Sequence, residues 1–432
     1  MHYYSTNHKS PQVSFREAAI TGQPHDKGLY FPSEIPQLSP AFLQSFRLKS
    51  KAEIAFEVIR PYINGEIPDA ELFGICEETI NFEFPLVKIN NRISSLELFH
   101  GPTMAFKDVG ARFMSRCLGY FSKDSNRHVT ILVATSGDTG SAVANGFLGV
   151  KNVDVVILYP SGKVSNIQEL QLTTLGQNIT ALEVKGTFDD CQAMVKQAFL
   201  DPDLNSKLSL TSANSINIAR WLPQQFYYFY ALQQWENPKP PVMCVPSGNF
   251  GNICAGLLAY RSGLPVAHFI AACNSNDIFP AYLNTGLYQP KPSVATYSNA
   301  MDVGDPSNFV RLTELFDHDI SHIRRVVSSY TINDATTLET ISAVYNTEDY
   351  LLEPHGAVAY QALNQYIADH PGEIGIILET AHPIKFVDVV EKTIGEEIGI
   401  PEASRHLIGL KKQSIEISPG FENLKLFLLT RS

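Results

Sequence analysis

Continuous apolar segments alternate with helical segments over most of this chain, and this alternation limits the possible folds more than any other feature. Most of these segments are predominantly apolar without an alternating pattern, as in strands that are covered on both faces. The predicted strands are 129–134, 153–159, 179–184, 208–211, 242–245, 268–272 and 374–378. The predicted helices between them include 108–120, 141–147, 218–235 and 252–260. The sequence therefore predicts an α/β protein with parallel sheets covered by helices.

The N-terminal region lacks this alternation and is predicted to form a separate domain over residues 1–85. Ser50 and Glu53 have the spacing of a capping box at the start of a helix, and Pro68 marks the start of another. The region carries no cluster of charged or metal-binding residues, so we expect it to pack against the remainder. That remainder is divided into a small α/β domain, 106–216, and a large α/β domain, 86–105 with 217–432.

Composition and charge exclude several classes of function. The chain has 432 residues, of which 44% are hydrophobic, with a net charge of −11, and this argues against a nucleic-acid partner. The N-terminus has no apolar signal-peptide core and no apolar run is long enough for a bilayer, so we expect a cytoplasmic protein without membrane contact. The six cysteines are scattered without a CxxC pair, which predicts buried thiols and neither a metal site nor disulfides.

A lysine stands at the predicted start of the helix that follows the segment HGPTMAFKDVG, residues 100–110. The positive end of the helix and the apolar neighbours of Lys107 both disfavour its ammonium form and lower its pKa. Such a lysine is a nucleophilic amine that can form a Schiff base with an aldehyde. A solvated surface lysine is the alternative, and this segment alone favours it.

A glycine-bearing loop, PSGNFGN at 246–252, lies between a predicted strand and a helix. Glycines allow close approach of the backbone, and a helix N-terminus offers free N–H groups, so this loop is a candidate phosphate cradle. It is neither a Walker loop nor a dinucleotide fingerprint, because it has no GK[ST] and no GxGxxG pattern. A simple strand-to-helix corner explains the loop equally well.

Three more loops after predicted strands carry polar groups. The loop 135–140 could hold a carboxylate or be an ordinary helix cap, and residues 214–220 could gather donors on an oxyanion or be a solvated helix start. The loop 379–383 offers a hydroxyl for a ring nitrogen, or is a simple turn. Taken together, an amine, a phosphate cradle, a hydroxyl and anion-binding donors predict pyridoxal 5′-phosphate as the cofactor.

An opening segment and eight later segments, in order along nearly the whole chain, resemble a known family. The opening segment is VSFREAAITGQPHDKGLYFP (13–32), and the later ones are HGPTMAFKD, ATSGDTGSA, GTFDDCQ, NSINIAR, PSGNFGN, SNAMDVGDPSNF, EPHGAVAY and ETAHPIKF. The chain is identified by them as a member of the threonine synthases of the enterobacterial and yeast branch. That resemblance implies the tryptophan-synthase-β-like fold, fold type II of the pyridoxal-phosphate enzymes.

The resemblance also implies roles for individual residues. Lys107 would hold the cofactor aldehyde as a Schiff base and move protons, and the neutral hydroxyl of Thr380 would meet the ring nitrogen and leave it unprotonated. The other implied cofactor-binding residues are Phe106, Gly248, Asn249, Phe250, Gly251 and Asn252. The implied substrate-binding residues are Thr135, Ser136, Asp138 and Thr139 for the carboxylate, and Asn214, Ser215 and Arg220 for the phosphate.

The implied reaction is the conversion of O-phospho-L-homoserine and water to L-threonine and phosphate, by γ-elimination of phosphate and β-addition of water. This is the last step of threonine biosynthesis, and the resemblance suggests a monomer without a metal. A phospholyase or a hydroxy-amino-acid dehydratase would use the same cofactor. A non-catalytic, cofactor-binding regulatory protein is the alternative from another class.

Overall fold

The computed structural model describes residues 1–123 and 128–430. The strands in this part of the chain are β1 (Tyr3–Ser5), β2 (Tyr30–Pro32), β3 (Leu86–Lys88), β4 (Ile93–Glu97), β5 (Val129–Ala134), β6 (Val153–Pro160), β7 (Ile179–Val184), β8 (Ser209–Ser212), β9 (Val242–Pro246), β10 (His268–Cys273), β11 (Val327–Thr331), β12 (Gly375–Glu379) and β13 (Ile415–Ile417).

The helices are α1 (Phe15–Thr21), α2 (Pro40–Ser45), α3 (Lys51–Ile63), α4 (Asp69–Thr79), α5 (Lys107–Ser122), α6 (Asp138–Phe147), α7 (Asn166–Thr173), α8 (Phe188–Leu200), α9 (Pro202–Lys207), α10 (Ile218–Trp221), α11 (Phe226–Gln234), α12 (Gly251–Arg261), α13 (Ile278–Thr285), α14 (Phe309–Glu314), α15 (Ile320–Val326), α16 (Asp334–Glu348), α17 (Pro354–Asp369), α18 (Val387–Ile394), α19 (Glu402–Arg405) and α20 (Phe421–Leu429). Short 3₁₀ turns occupy Phe46–Leu48, Leu222–Gln225, Asn299–Met301 and Pro383–Phe386.

Two largely parallel sheets form the framework, which confirms the predicted α/β class. The larger sheet has the order β11-β10-β9-β12-β4-β3, and only its edge strand β3 is antiparallel to its neighbour. The smaller sheet has the order β13-β7-β6-β5-β8 and is parallel throughout. Every residue of β5, β9 and β12 is buried, because helices cover both faces of a parallel sheet. The carboxyl ends of these strands therefore lead into the loops that carry the candidate site.

The N-terminal region has its own small antiparallel pair, β1 with β2, and packs into the main core. The capping box at Ser50 and Glu53 begins α3 as predicted. The Tyr3 hydroxyl donates to the carbonyl of Tyr62 at 2.7 Å, and Asn217 Nδ2 donates to the carbonyl of Ala19 at 2.9 Å. The second contact lies at the start of α10, so this region buttresses a loop of the candidate site.

The predicted helix over 218–235 is divided in the structure. Helix α10 ends at Trp221, a 3₁₀ turn follows, and α11 begins at Phe226. Pro223 lies in the interruption, where it lacks the N–H that an α-helical hydrogen bond requires. The break changes the backbone geometry but leaves Arg220 on the first helical segment, next to the site.

The C-terminal segment returns to the smaller sheet, which differs from the expected division that placed 217–432 in the large domain. Strand β13 pairs with β7 in parallel, and Leu424 and Leu428 of α20 are buried in the same cluster as residues of α8. Lys412 Nζ also lies 2.6 Å from Glu183 Oε2 on β7. The tail covers an otherwise open sheet edge, and its burial of apolar surface is the physical reason for the return.

Within the described ranges no helix is long and apolar enough to cross a membrane. The six cysteines are buried free thiols, as their scattered positions predicted.

Candidate active site

The loop before α5 is fixed to the end of β12, and this contact sets the position of Lys107. Ala105 forms an antiparallel bridge with Ala381. The N–H of Phe106 donates to the carbonyl of Thr380 at 2.9 Å, and that of His382 donates to the carbonyl of Met104 at 3.1 Å. Two loops that are far apart in the sequence thus meet with Lys107 and Thr380 close to each other.

The Lys107 side chain lies in low-dielectric surroundings, with its Nζ 4.6 Å from the centre of the Phe106 ring. Burial lowers the pKa of Lys107 to about 8. The nearby cations Arg220 and Lys385 lower this pKa further, whereas Asp138 opposes them. A substantial fraction of the amine is therefore neutral near pH 8, which is the nucleophilic form that the sequence analysis predicted.

Lys385 is a buried cation that the sequence analysis did not single out, although it lies in the segment ETAHPIKF. Its Nζ is 2.8 Å from Asp138 Oδ1, and Gln168 Nε2 donates to the same oxygen at 2.9 Å. Burial raises the pKa of Asp138, but Lys385 and Lys107 outweigh it and hold that pKa below the usual value. Asp138 is therefore an ionised partner of lysines, which makes it unsuited to direct contact with a substrate carboxylate.

The glycine loop after β9 leads directly into α12 and leaves its N-terminus uncapped. Phe250 has a left-handed backbone with φ of 62° and gives no side-chain cap, and the first helical hydrogen bond runs from Cys254 N to the carbonyl of Phe250. A Cβ on Gly248 would lie 2.6 Å from Met301 Cα, so only glycine fits there. The N–H groups of Gly251 and Asn252 precede that first bond, so they could bind an anion, and this N-terminus is the candidate cradle.

Polar side chains from three loops meet beside this cradle. Asn249 Nδ2 donates to Ser215 Oγ at 2.9 Å, and Asn308 Nδ2 donates to the same oxygen at 3.2 Å. Asn249 Oδ1 accepts from the N–H of Ser307 at 2.6 Å. Ser215, which was expected at the substrate phosphate, thus lies against the cradle. Asn308 was missed, although it lies in the segment SNAMDVGDPSNF.

Arg220 packs against Gly110 of α5. Its Nη1 donates to the carbonyl of Ala213, and its buried Nε has no hydrogen-bond partner within the described residues. Burial lowers the pKa of Arg220 to about 10, but the group remains a cation at neutral pH. An orphaned, buried guanidinium N–H near Lys107 is suited to an anionic ligand. The neighbouring Asn214 is partly exposed.

The side chain of Thr135, the first residue of the loop after β5, fixes the conformation of that loop. Thr135 Oγ1 accepts from the N–H groups of Gly137 and Gly140, both at 2.9 Å, so this oxygen fixes the loop. Ser136 and Thr139 are partly exposed. These two hydroxyls, rather than Thr135, are the ones available to a ligand.

A buried acidic group lies behind Thr380. Thr380 Oγ1 donates to Glu353 Oε1 at 3.5 Å, and the N–H of Glu353 donates to Glu379 Oε1 at 2.8 Å. Glu353 Oε2 also accepts from His355 Nδ1 at 2.6 Å. Sequence reasoning found Thr380 and missed Glu353 as its partner, because the two residues lie on different elements.

The combined donor set fits one small group with an aldehyde, a phosphate and a ring nitrogen. Lys107 offers the amine, the uncapped N-terminus of α12 offers the phosphate site, and the Thr380 hydroxyl offers a hydrogen-bonding partner. No cluster of three or more His, Cys, Asp or Glu side chains that could hold a metal occurs in residues 1–123 or 128–430. A family model described as "Pyridoxal-phosphate dependent enzyme" matches residues 87–378. The chain is a pyridoxal-phosphate dependent enzyme of fold type II, with pyridoxal phosphate as its cofactor.

More specific matches cover both ends of the chain and its full length. Models described as "Threonine synthase N terminus" and "Threonine synthase, C-terminal" match residues 2–80 and 356–427. The chain is 44% identical to a threonine synthase from Haemophilus influenzae, over 99% of this chain and 100% of that one. It is 43% identical to one from Buchnera aphidicola, over 100% of both chains. The chain belongs to the threonine synthase family.

The fold agrees with solved structures of that family. The crystal structure of threonine synthase from Escherichia coli has a TM-score of 0.93 at 42% identity, with 100% of both chains covered. A structure of threonine synthase from Brucella melitensis, described as PLP-bound, has a TM-score of 0.94 at 35% identity and covers 100% of this chain and 99% of that one.

Proposed function

We propose that this enzyme converts O-phospho-L-homoserine and water to L-threonine and phosphate. The main supporting observation is the position of Lys107 at the start of α5, with its Nζ 4.6 Å from the centre of the Phe106 ring, where burial and the charges of Arg220 and Lys385 lower its pKa. An amine that is partly neutral can exchange protons with carbon, and cations around it attract a substrate that bears a phosphate and a carboxylate. Full-length membership of the threonine synthase family supports the same reaction.

The cofactor would be held by groups at the ends of β9 and β12. Lys107 Nζ would bind its aldehyde carbon beside the Phe106 ring, and Thr380 would meet its ring nitrogen. The residues proposed to hold its phosphate are Gly248, Asn249, Phe250, Gly251, Asn252 and Ser215. Once bound, the cofactor supplies an electron sink that stabilises negative charge on substrate carbon atoms.

The substrate would be held mainly by groups on the small-sheet side. Arg220 and Asn214 are proposed to bind the substrate phosphate, since the Arg220 guanidinium is a cation with an N–H at Nε that is unpaired within the described chain. The hydroxyls of Ser136 and Thr139 are proposed to bind the carboxylate. Asp138 would act indirectly, since it pairs with Lys385 and fixes that ammonium group beside Lys107.

Proton transfer would then rest on Lys107. Its neutral Nζ would remove a proton from Cα and pass it to the substrate phosphate. Neutral again, the same amine would remove a proton from Cβ, as the C–O bond at Cγ breaks and hydrogen phosphate leaves. The ammonium form would return a proton to Cγ. Water would add at Cβ, losing a proton to the site, and Cα would be reprotonated. The balance is one water consumed and one phosphate released.

The setting proposed for this reaction is a cytoplasmic monomer that acts on a small molecule. The net charge of −11 and the 44% hydrophobic composition support an enzyme without a nucleic-acid partner.

The test is to incubate the purified protein with pyridoxal phosphate and O-phospho-L-homoserine, and to quantify threonine, phosphate and 2-oxobutanoate. We expect threonine and phosphate in equal amounts, a loss of both in Lys107→Ala, and unchanged turnover in Lys196→Ala, which removes an exposed lysine. Phosphate accompanied by 2-oxobutanoate would identify a phospholyase and contradict the proposal. Cofactor binding without any turnover would contradict it in favour of a regulatory protein.

A further inference from the structure

Two fully buried glutamates, Glu353 and Glu379, lie behind Thr380. We call these two residues the carboxyl pair. They are joined by the N–H of Glu353, which donates to Glu379 Oε1 at 2.8 Å. A Cβ at Gly356 would clash with Glu379, so the start of α17 leaves room for this arrangement. Buried carboxyl groups this close are costly unless their charge is specifically balanced, so their protonation matters to the site.

Glu353 is the member of the carboxyl pair that is built to carry the charge. It caps α17, where its side chain accepts from the N–H groups of His355 and Gly356. It also accepts from His355 Nδ1 at 2.6 Å and from Thr380 Oγ1 at 3.5 Å. His355 Nε2 accepts from the N–H of Ala300 at 3.1 Å, so Nδ1 is the ring nitrogen whose hydrogen is given to Glu353. All the partners of Glu353 are donors, which is the environment of an ionised carboxylate at the positive end of a helix.

Glu379 is the neutral member. Burial, the charge of Glu353 and then that of Glu97 raise the pKa of Glu379 well above its usual value. Its Oε2 has no hydrogen-bond partner in the described chain, which leaves that atom free to carry the proton. Glu97 itself is occupied, since it accepts from the Tyr350 hydroxyl at 3.0 Å and pairs with His100 at 2.7 Å. A single negative charge therefore faces Thr380 from this side.

The hydroxyl of Thr380 has one hydrogen, and Glu353 Oε1, at 3.5 Å, is the acceptor that the structure gives it. The side of the hydroxyl that remains for a ligand carries lone pairs, which accept a hydrogen bond and cannot give one. We propose that Glu353 acts through Thr380 as a positioning residue that keeps the cofactor's ring nitrogen protonated. This proposal rests on the proposed contact between Thr380 and that nitrogen. The sequence resemblance led to the opposite expectation, that a neutral hydroxyl leaves this nitrogen unprotonated.

The proposal gives Glu353 a defined electrostatic effect. A protonated ring nitrogen is a stronger electron sink, and the carboxylate one hydroxyl away stabilises its positive charge. The other ionisable groups packed around the pair are Glu97, Tyr350, His355 and Asp302. Among them, Asp302 is engaged with Thr296 and Asn274, so it supplies no competing contact to Thr380.

The experiment is ¹⁵N NMR of the holoenzyme loaded with pyridoxal phosphate that is labelled at its ring nitrogen. We expect the wild-type signal at the position of a protonated pyridine. Glu353→Gln should move it to the unprotonated position, because the negative charge that stabilises the protonated ring is then gone. Thr380→Val, which has nearly the same shape, should also move it and covers the case in which Glu353→Gln fails to fold. Glu379→Gln, a matched change in the neutral member of the pair, should leave the signal in place.

The result that overturns the proposal is an unprotonated nitrogen in the wild type, or a protonated one in either Glu353→Gln or Thr380→Val. Threonine production by the same wild-type sample is measured separately. Threonine formation with an unprotonated nitrogen would overturn only the role of Glu353. A protonated nitrogen without threonine formation would overturn only the proposed function.

Discussion

The two sides of the site are built differently. The large-sheet side, formed by the ends of β9 and β12 with the start of α17, buries Ser247, Thr380 and Glu353, which are 2%, 6% and 0% exposed, and leaves Asn249 partly exposed. The small-sheet side, formed by the loops after β5 and β8, leaves Ser136, Thr139 and Asn214 partly exposed. The first suits a group that stays bound, and the second suits a substrate that enters and leaves at each turnover.

A buried ion pair between Lys385 and Asp138 joins the two sides. Lys385 follows β12 and Asp138 begins α6, and their 2.8 Å contact is shielded from solvent. Each side can therefore be perturbed by itself, or both can be perturbed through this pair. Substitutions at the ion pair and on each side separately therefore test the difference between the two sides.

Removing the bridging cation should have the largest effect. In Lys385→Met, Asp138 keeps a buried charge that only Gln168 still contacts, so we expect a loss of about 3–5 kcal/mol in the free energy of unfolding. The double variant Lys385→Met with Asp138→Asn should recover much of this loss, because the unpaired charge is gone. Urea unfolding of the three proteins is the measurement. Equal destabilisation in the single and double variants would show that the charge is not responsible.

Substitutions at the cradle and in the loop after β5 should have smaller effects, one on cofactor binding and the other on substrate binding. Asn249→Ala removes contacts to Ser215 and Ser307 at the cradle, so we expect the Kd for pyridoxal phosphate to rise roughly tenfold, or about 1.4 kcal/mol. Ser136→Ala, on the small-sheet side, should change that Kd less than about twofold and raise KM for the substrate instead. Fluorescence titration with the cofactor and initial rates give both numbers. A larger cofactor defect in Ser136→Ala would reverse the assignment of the two sides.

The smallest effect concerns stability of the cofactor-free protein. The folded pKa of Lys107 is about 8, below the ordinary lysine value, so its charge is disfavoured in the folded state at every pH below about 8. Between pH 8 and roughly 10 the unfolded chain still binds the proton that the folded chain has lost, and stability rises with pH. We expect Lys107→Met to be more stable than wild type at pH 7, with an advantage that shrinks above pH 8. Thermal unfolding at several pH values tests this, and a constant difference would contradict it.

The larger part of the fold follows from local sequence signals. Strands β5 and β7 occupy the predicted residues, and the capping box predicted at Ser50 begins a helix. Apolar runs and capping patterns are local, so they can be recognised without tertiary information. Strands β4 and β11 were not predicted, because their serines, threonine and glutamate weaken the apolar signal. Their pairing partners in the larger sheet decide their conformation.

The loops that carry the candidate site could be predicted from the sequence. The contacts between side chains of different loops could not. Lys107, the glycine loop and Thr380 stand in recognisable strand-to-helix positions. The partners Lys385, Asn308 and Glu353 become visible only when the fold brings distant segments together, as in the pair between Lys385 and Asp138. The roles proposed for the substrate-binding residues stay predictions.

The return of the C-terminal tail to β7 has a consequence for how the protein is made. A ribosome delivers the smaller sheet's central strands long before it delivers residues 415–417, so nascent β7 waits with an unpaired edge and an apolar face that α20 will later cover. During synthesis this edge is open to pairing with a second nascent chain. The last segment to emerge therefore protects one of the earlier ones, and slow elongation over the second half of the message would lengthen the period of exposure.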